Sequence, residues 1–396
     1  MPWPPHAYTR QQWTPSRRQG AREDRMLTAI DAAIPPMIAD RTYEVSGTTA
    51  RVHEQALIAI ARLEAGYGRH LVPLADFLLR SESVASSKIE HIDAGWRAFG
   101  KAFAGAKASD EAKSQLAAVQ ALIGMVDAAG RGPLTEELIL GAHRELMSVD
   151  YYTAIDSGRL RTVQNWIGGS DFTPLGAVYV PPPAEQVPEL ITDLITFCNR
   201  QDLPILAQAA IAHAQFESIH PFTDGNGRIG RALIGALLRR RGLTDRVTVP
   251  LASVMLADTD EYFRRLDRYR TGDAGGFVDY LSRATTHACA AAEQSAAALA
   301  ELPDLWLQIA RPRAGSAEAS LIPALLATPI FNADTAVDIS GTSESSTYRA
   351  LARLTDLGIL EILSESKRNR VWAVTDVLTE LDALSADIGR RVAAQW

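Results

Sequence analysis

"HPFTDGNGRIGR", His220 to Arg231, packs a histidine, an acid, three glycines, an asparagine and two arginines into twelve residues. Gly225, Gly227 and Gly230 spell G-x-G-x-x-G, and Gly225 to Arg231 comes close to a Walker loop. A dinucleotide fingerprint needs a buried strand before its glycines and a βαβ unit around them. The preceding "AAIAHAQFESIH" instead places Ile211, Ala214, Phe216 and Ile219 at helical spacing, with few β-branched residues. Asp245 lies about 20 residues downstream, a distance at which one acid is expected by chance. A Walker loop needs Lys and then Ser or Thr, whereas Arg231 and Ala232 stand there. The reading that fits is helix, loop, helix.

In that reading the glycines allow a tight turn with positive φ and a close backbone approach to a ligand. The following helix offers free N–H groups and a partly positive dipole end to an anion. Arg228 and Arg231 are three apart and project from one face of its first turn. They supply two forked donor sets for neighbouring phosphate oxygens. Asp224 offers hard carboxylate oxygen suited to Mg²⁺, and His220 can take a proton near neutral pH. Base, metal ligand and anion cradle are contiguous, as phosphoryl or nucleotidyl transfer requires.

Outward from the motif the texture is helical. "ARVHEQALIAIARLEAGYG", "PLADFLLRSESVASSKIEHI", "SDEAKSQLAAVQALIGMVDAAG" and "LTEELILGAHRELM" precede it. Pro- and Arg-punctuated residues 1–40 read as an extended arm. "VQNWIGGSDFTPLGAVYVPPP" breaks the pattern and predicts a short β-hairpin around residues 167–180. His213 and His143 read as packing residues. Two or three domains suit a chain of 396 residues, with expected boundaries at 1–110, 111–308 and 309–396. Net charge of −7 gives no bulk attraction to nucleic acid or anionic membrane. Cys198 and Cys289 have neither metal-ligand spacing nor disulfide density. No apolar run approaches the roughly 20 residues of a membrane span, and no signal peptide is evident. A cytoplasmic protein is expected.

The stretch resembles the H-x-F-x-[D/E]-G-N-G-R-x-x-R signature of the Fic (filamentation induced by cAMP) family, and matches every fixed position. The resemblance extends to the N-terminal helices and the hairpin, and implies a mainly α fold: a Fic helical core with a β-hairpin flap. It implies transfer of AMP from ATP to a hydroxyl of a target protein. His220 would be the base, Phe222 a core anchor and Asp224 the Mg²⁺ ligand. The nucleotide set would be Gly225, Asn226, Gly227, Arg228, Ile229, Gly230 and Arg231. The hairpin would dock the target segment as an added strand. Adenine contacts are expected from the segment Leu251 to Tyr262.

Ser86 and Glu90, four apart in "SVASSKIEH", resemble the family's inhibitory motif [S/T]-x-x-x-E-[G/N], with His91 at its last position. The implied mechanism is a Glu90–Arg231 pair that occupies the guanidinium needed by the γ-phosphate. Breaking a buried pair of that kind costs about 3–5 kcal/mol. The same Glu90 could instead position a water for removal of AMP from a modified target.

Beyond the Pro-containing stretch Ala310 to Ser320, two short helices and the strands "ILEIL" and "VWAV" read as a winged helix. Its recognition helix would be "SSTYRALARL", with Lys367, Arg368 and Arg370 on the wing. From Ser316 onward seven basic residues face eleven acidic ones, a net of −4, which argues against strong backbone-driven DNA binding. Dimerisation or target docking remains open for this module. So does a DNA-binding regulator whose Fic domain senses nucleotide without transferring it.

Overall fold

The helix Ile205–Ile219 is buried on every side from Leu206 to Ile219. Its sequence explains this. Alanines and a few large aliphatics surround a single charged residue, Glu217, so the helix has no face to offer water. The computed structural model describes residues 3–14, 19–45, 47–66, 71–149, 154–364 and 370–394. Lys367 and Arg368, expected on a wing, lie outside the described residues. Among the described residues no helix is long and apolar enough to cross a membrane.

The chain divides into two compact units, each discontinuous in sequence. The first comprises Met1–Gln55, Ala121–Leu243 and Asp260–Arg283. Val187–Asn199 and Asn226–Arg240 pack on its central helix, and Glu136–Leu146 packs on both of those. The expected extended arm is instead a two-stranded antiparallel sheet. Ala7–Gln12 pairs with Ala29–Ile34, in a register that sets Ala7 opposite Ile34. The inner strand buries Ile30, Ala32 and Ala33, and the Ala33 N–H donates to Val180 O at 2.9 Å. The sheet thereby continues into the chain beside the hairpin.

The hairpin itself is smaller than its sequence suggested. A single bridge joins Ile167 to Tyr179, and the Ser170 N–H donates to Leu175 O at 3.0 Å. Gly168 and Gly169, at φ of 70° and 77°, turn the chain where a side chain would be strained. The N-terminal segment holds it: buried Asp24 accepts from Thr173 Oγ1 at 2.6 Å, and Trp13 meets Trp166 edge-on at 5.8 Å.

The second unit comprises Ala56–Gln120, Thr244–Thr259 and Ala284–Trp396. Its C-terminal elements follow the expected order, with helices Ala333–Ser340 and Glu344–Asp356 before strands Leu360–Ile362 and Val371–Val374. A third strand, Ile330–Asn332, pairs with Val371–Val374 on the other side, and helix Thr375–Ala393 closes the chain. Neither was expected from sequence. The helix Thr375–Ala393 packs with the helix Leu71–Ile89. Trp96 Nε1 donates to Asp382 Oδ1 at 3.1 Å, and Arg97 pairs with Glu361.

Helix Leu71–Ile89 carries Ser86 but stops before Glu90. Ser86 is buried, whereas Glu90 sits exposed in the turn that follows. The Ile92 N–H donates to Ser87 O at 3.0 Å, and the His91 N–H to Lys88 O at 3.0 Å. That pattern places His91 in the left-handed cap position, at φ 61°. A left-handed cap of this kind favours Gly or Asn, and His91 occupies it with strain. His91→Gly is expected to stabilise the protein by about 0.5–1 kcal/mol, read from the urea unfolding midpoint.

Candidate active site

His220 terminates the central helix in the left-handed conformation, at φ 49° and ψ 61°, and its N–H still donates to Phe216 O at 2.9 Å. The turn swings the chain out of the helix and into the loop. Phe222 plugs back into the core, fully buried, with its ring stacked on His143 at 3.7 Å. His143 does more than pack. Its Nδ1 accepts from the Gly158 N–H at 2.9 Å, so Nε2 carries the proton and donates to Asp224 O at 3.1 Å. Burial lowers its pKa to about 4, which keeps that arrangement intact at neutral pH.

Gly225 caps the motif helix Asn226–Arg240 at φ 76°. A Cβ there would lie 2.9 Å from Leu146 Cδ2 and 3.3 Å from Met147 Sδ. Gly225→Ala is expected to lower stability by about 2 kcal/mol, through the left-handed strain alone before any steric shift, seen as a lower urea midpoint. Asn226 is locked by its backbone neighbour. Its Oδ1 accepts from the Phe222 N–H at 2.8 Å, and its Nδ2 donates to Phe222 O at 2.8 Å. At Gly230 the helix approaches the central helix so closely that an added Cβ would strike Glu217.

The first turn of the motif helix holds Gly227, Arg228, Ile229 and Arg231, all buried. Ile229 faces the core, so only its backbone can meet a ligand. Arg228 Nη2 lies 3.6 Å from Asp224 Oδ2, a contact with one end buried and the other exposed. Asp224 Oδ1 accepts from the Gly225 N–H at 2.6 Å, while its side chain is 57% exposed. One open carboxylate, with water and phosphate oxygens to complete the shell, suits Mg²⁺. Among the described residues no group of three His, Cys, Asp or Glu side chains is placed to hold a metal ion.

The His220 ring is half-buried. Burial, with the guanidiniums of Arg161 and Arg270, lowers its pKa to about 3, so it is neutral at physiological pH. Arg161 was not singled out in the sequence and proves central. Buried itself, it donates to four backbone carbonyls: His220 O at 2.9 Å, Val163 O at 3.0 Å, Pro182 O at 2.6 Å and Ile219 O at 3.4 Å. It ties the end of the central helix to both roots of the hairpin. Asn165 was missed as well; its Nδ2 lies 2.8 Å from His220 Nδ1. His213 is fully buried against Tyr262, with Nε2 and the phenol oxygen 2.9 Å apart. That contact places Tyr262 in the core. Ser86 and Glu90 belong to the second unit and all the motif residues to the first.

Buried arginines and free N–H groups opening a helix, with a neutral histidine and an exposed acid close by in the chain, make an arrangement chemically suited to an anion. Residues 133–238 match the Fic/DOC family. The chain is 30% identical over 145 residues to the protein adenylyltransferase fic-1 of Caenorhabditis elegans, a match covering 37% of this chain and 26% of that one. It is 43% identical over 75 residues to a probable protein adenylyltransferase of Aquifex aeolicus, covering 19% of this chain and 23% of the relative. The chain thus spans about a quarter of the length of these curated relatives. A Fic family protein from Desulfovibrio desulfuricans G20 shares the fold, with a TM-score of 0.56 at 22% identity over 85% of this chain and 98% of that one. A Fic-domain signalling protein from Bacteroides thetaiotaomicron superposes with a TM-score of 0.52 at 21% identity, over 62% of this chain and 97% of its own.

Proposed function

We propose that this chain is a protein adenylyltransferase, moving AMP from ATP to a hydroxyl side chain of a target protein. The observation that carries the reading is the neutral, half-buried His220 with exposed Asp224, close in the chain to the buried Arg228 and Arg231 that open the motif helix. The names of the curated relatives support the same chemistry.

In this reading the first-turn N–H groups of the motif helix, with Arg228 and Arg231, hold the phosphates of ATP. Asp224 would hold Mg²⁺, which when bound neutralises phosphate charge. His220 takes the hydroxyl proton as the target oxygen bonds the α-phosphorus and pyrophosphate leaves. The rigid tie through Arg161 keeps the base and the hairpin roots in one frame. The target segment docks at the hairpin, residues 167–180, whose Val178 is 72% exposed. Glu90 restrains the reaction by competing for Arg231, a role carried over from the motif.

The segments 1–110, 111–308 and 309–396 divide this work into regulation, catalysis and docking. The last reads as a winged helix used for protein contacts or self-association, since a net charge of −4 from Ser316 onward disfavours DNA. We place the protein in the cytoplasm. The deciding experiment is the intact mass of the full chain after incubation with ATP and Mg²⁺. A gain of one AMP supports the reading; a gain of phosphate, or no gain in the Glu90→Gly variant, overturns it.

A further inference from the structure

The helix Leu71–Ile89 buries an arginine among apolar neighbours. Arg80 is only 8% exposed, and its Cζ lies 4.4 Å from the centre of the Phe103 ring. That contact uses a face of the guanidinium and none of its N–H donors, which point outward from the edge of the plane. Among the described residues those donors meet no hydrogen-bond acceptor, and no carboxylate comes within ion-pair distance. Asp76, one turn earlier, acts on Arg80 through its field alone and is itself exposed. A buried charge without hydrogen bonds is costly, and native proteins contain few of them. Burial accordingly pushes the Arg80 pKa down and the Asp76 pKa up. The guanidinium nonetheless keeps its proton at physiological pH.

Arg80 lines a cavity whose other walls include Phe77, Trp96, Phe99, Leu299, Ile330 and Leu378. All of these residues belong to the second unit. The Trp96 indole N–H is committed to Asp382 Oδ1 at 3.1 Å. Arg80 is therefore the one cationic group on the cavity wall among the described residues, with Asp76 at its rim. The space is small and suits a short chain rather than a nucleotide or a long acyl tail. Apolar walls with one fixed polar group are the usual form of a small-molecule site.

We propose that this cavity binds a short-chain carboxylate, its two oxygens on the Arg80 N–H fork and its alkyl end against Trp96, Phe99 and Leu378. A carboxylate meets a guanidinium edge through two parallel hydrogen bonds, which a halide cannot do. It supplies the acceptor that the helix itself does not place there. Asp76 is the competing acid, because turned inward it would take the same fork. The walls come from the helices Leu71–Ile89, Gly95–Phe103 and Thr375–Ala393, so an occupied cavity ties together elements distant in sequence. The site goes beyond AMP transfer and does not depend on it.

Propionate is the probe. The full-length protein is titrated at constant ionic strength while the ¹H–¹⁵N signal of the Trp96 indole is followed, assigned by its loss in Trp96→Phe. A saturable shift is expected. Formate, which lacks the alkyl end, is expected to bind at least about threefold more weakly. The uncharged 1-propanol should bind at least about tenfold more weakly. Arg80→Met, which keeps the length and loses the charge, should abolish the propionate shift. Asp76→Asn removes the competitor and should tighten propionate about threefold. A drift that never saturates would show binding at bulk concentration only and overturn the proposal. So would an equal shift from 1-propanol or chloride, or an unchanged propionate shift in Arg80→Met. Where Arg80→Met fails to fold, the wild-type comparison of propionate with 1-propanol decides. The titration contains no ATP, so its outcome and that of the AMP-transfer assay are read separately.

Discussion

In a Glu90→Gly background, His220→Ala is expected to cut AMP incorporation from labelled ATP by about 10²–10⁴-fold, the range that a positioned general base contributes. The cradle survives this change, because Asn226 is held by Phe222 and Asp224 by His143, and neither bond involves the His220 ring. ATP affinity should therefore stay within a few-fold of the parent. The backbone is the point to control. Residue 220 is left-handed at φ 49°, where alanine carries a cost of about 1–2 kcal/mol. His220→Asn avoids most of that cost, since asparagine tolerates this conformation, and it should lose transfer equally. Loss in the alanine variant alone, with asparagine retaining activity, would show that the effect is backbone distortion and remove His220 from the role of base.

The core of the site was legible because its information is local. A helix apolar on all sides, a histidine at its end, glycines where φ turns positive, and arginines in the next turn all lie within Ile205–Arg240. The Fic signature is a compressed statement of that geometry. The residues that hold the site in place are not local. Arg161 reaches Ile219 across 58 positions, and Asn165 reaches His220 across 55. Neither stands at a spacing that periodicity can interpret. Arg161 also breaks the usual rule that a buried guanidinium finds a carboxylate: its partners are backbone carbonyls, which leave no trace in side-chain types.

The N-terminal sheet was hidden for a related reason. "AYTRQQ" carries no apolar alternation, because its outer positions face water and its stability comes from pairing with "AIDAAI". The two strands are separated by Pro- and Arg-rich chain, which reads as a linker. Likewise "PIFNAD" is too short for alternation to mark it as a strand. Its three-residue strand exists only because Val371–Val374 offers a free edge some 40 positions later.

Glu90→Gly is expected to raise self-labelling by about fivefold over wild type, the effect of losing one exposed carboxylate that competes for a guanidinium. A buried ion pair would have held the enzyme down by about 3–5 kcal/mol, or more than a hundredfold. Glu90, however, lies exposed in the turn after its helix, whereas Arg231 is buried. With one partner in water, screening and side-chain entropy reduce an ion pair to about 1 kcal/mol, and one carboxylate is easily outcompeted by a triphosphate. Raising the ATP concentration should therefore relieve much of the inhibition in wild type and change the variant little. The comparison to make is the rate of label incorporation against ATP concentration for wild type, Glu90→Gly and Glu90→Gln. Glutamine keeps the size but not the charge, so it should behave like glycine if competition for the guanidinium is the mechanism. Glutamine behaving like wild type would place the restraint in steric blockage. Equal rates in all three proteins at every ATP concentration would remove Glu90 from regulation altogether.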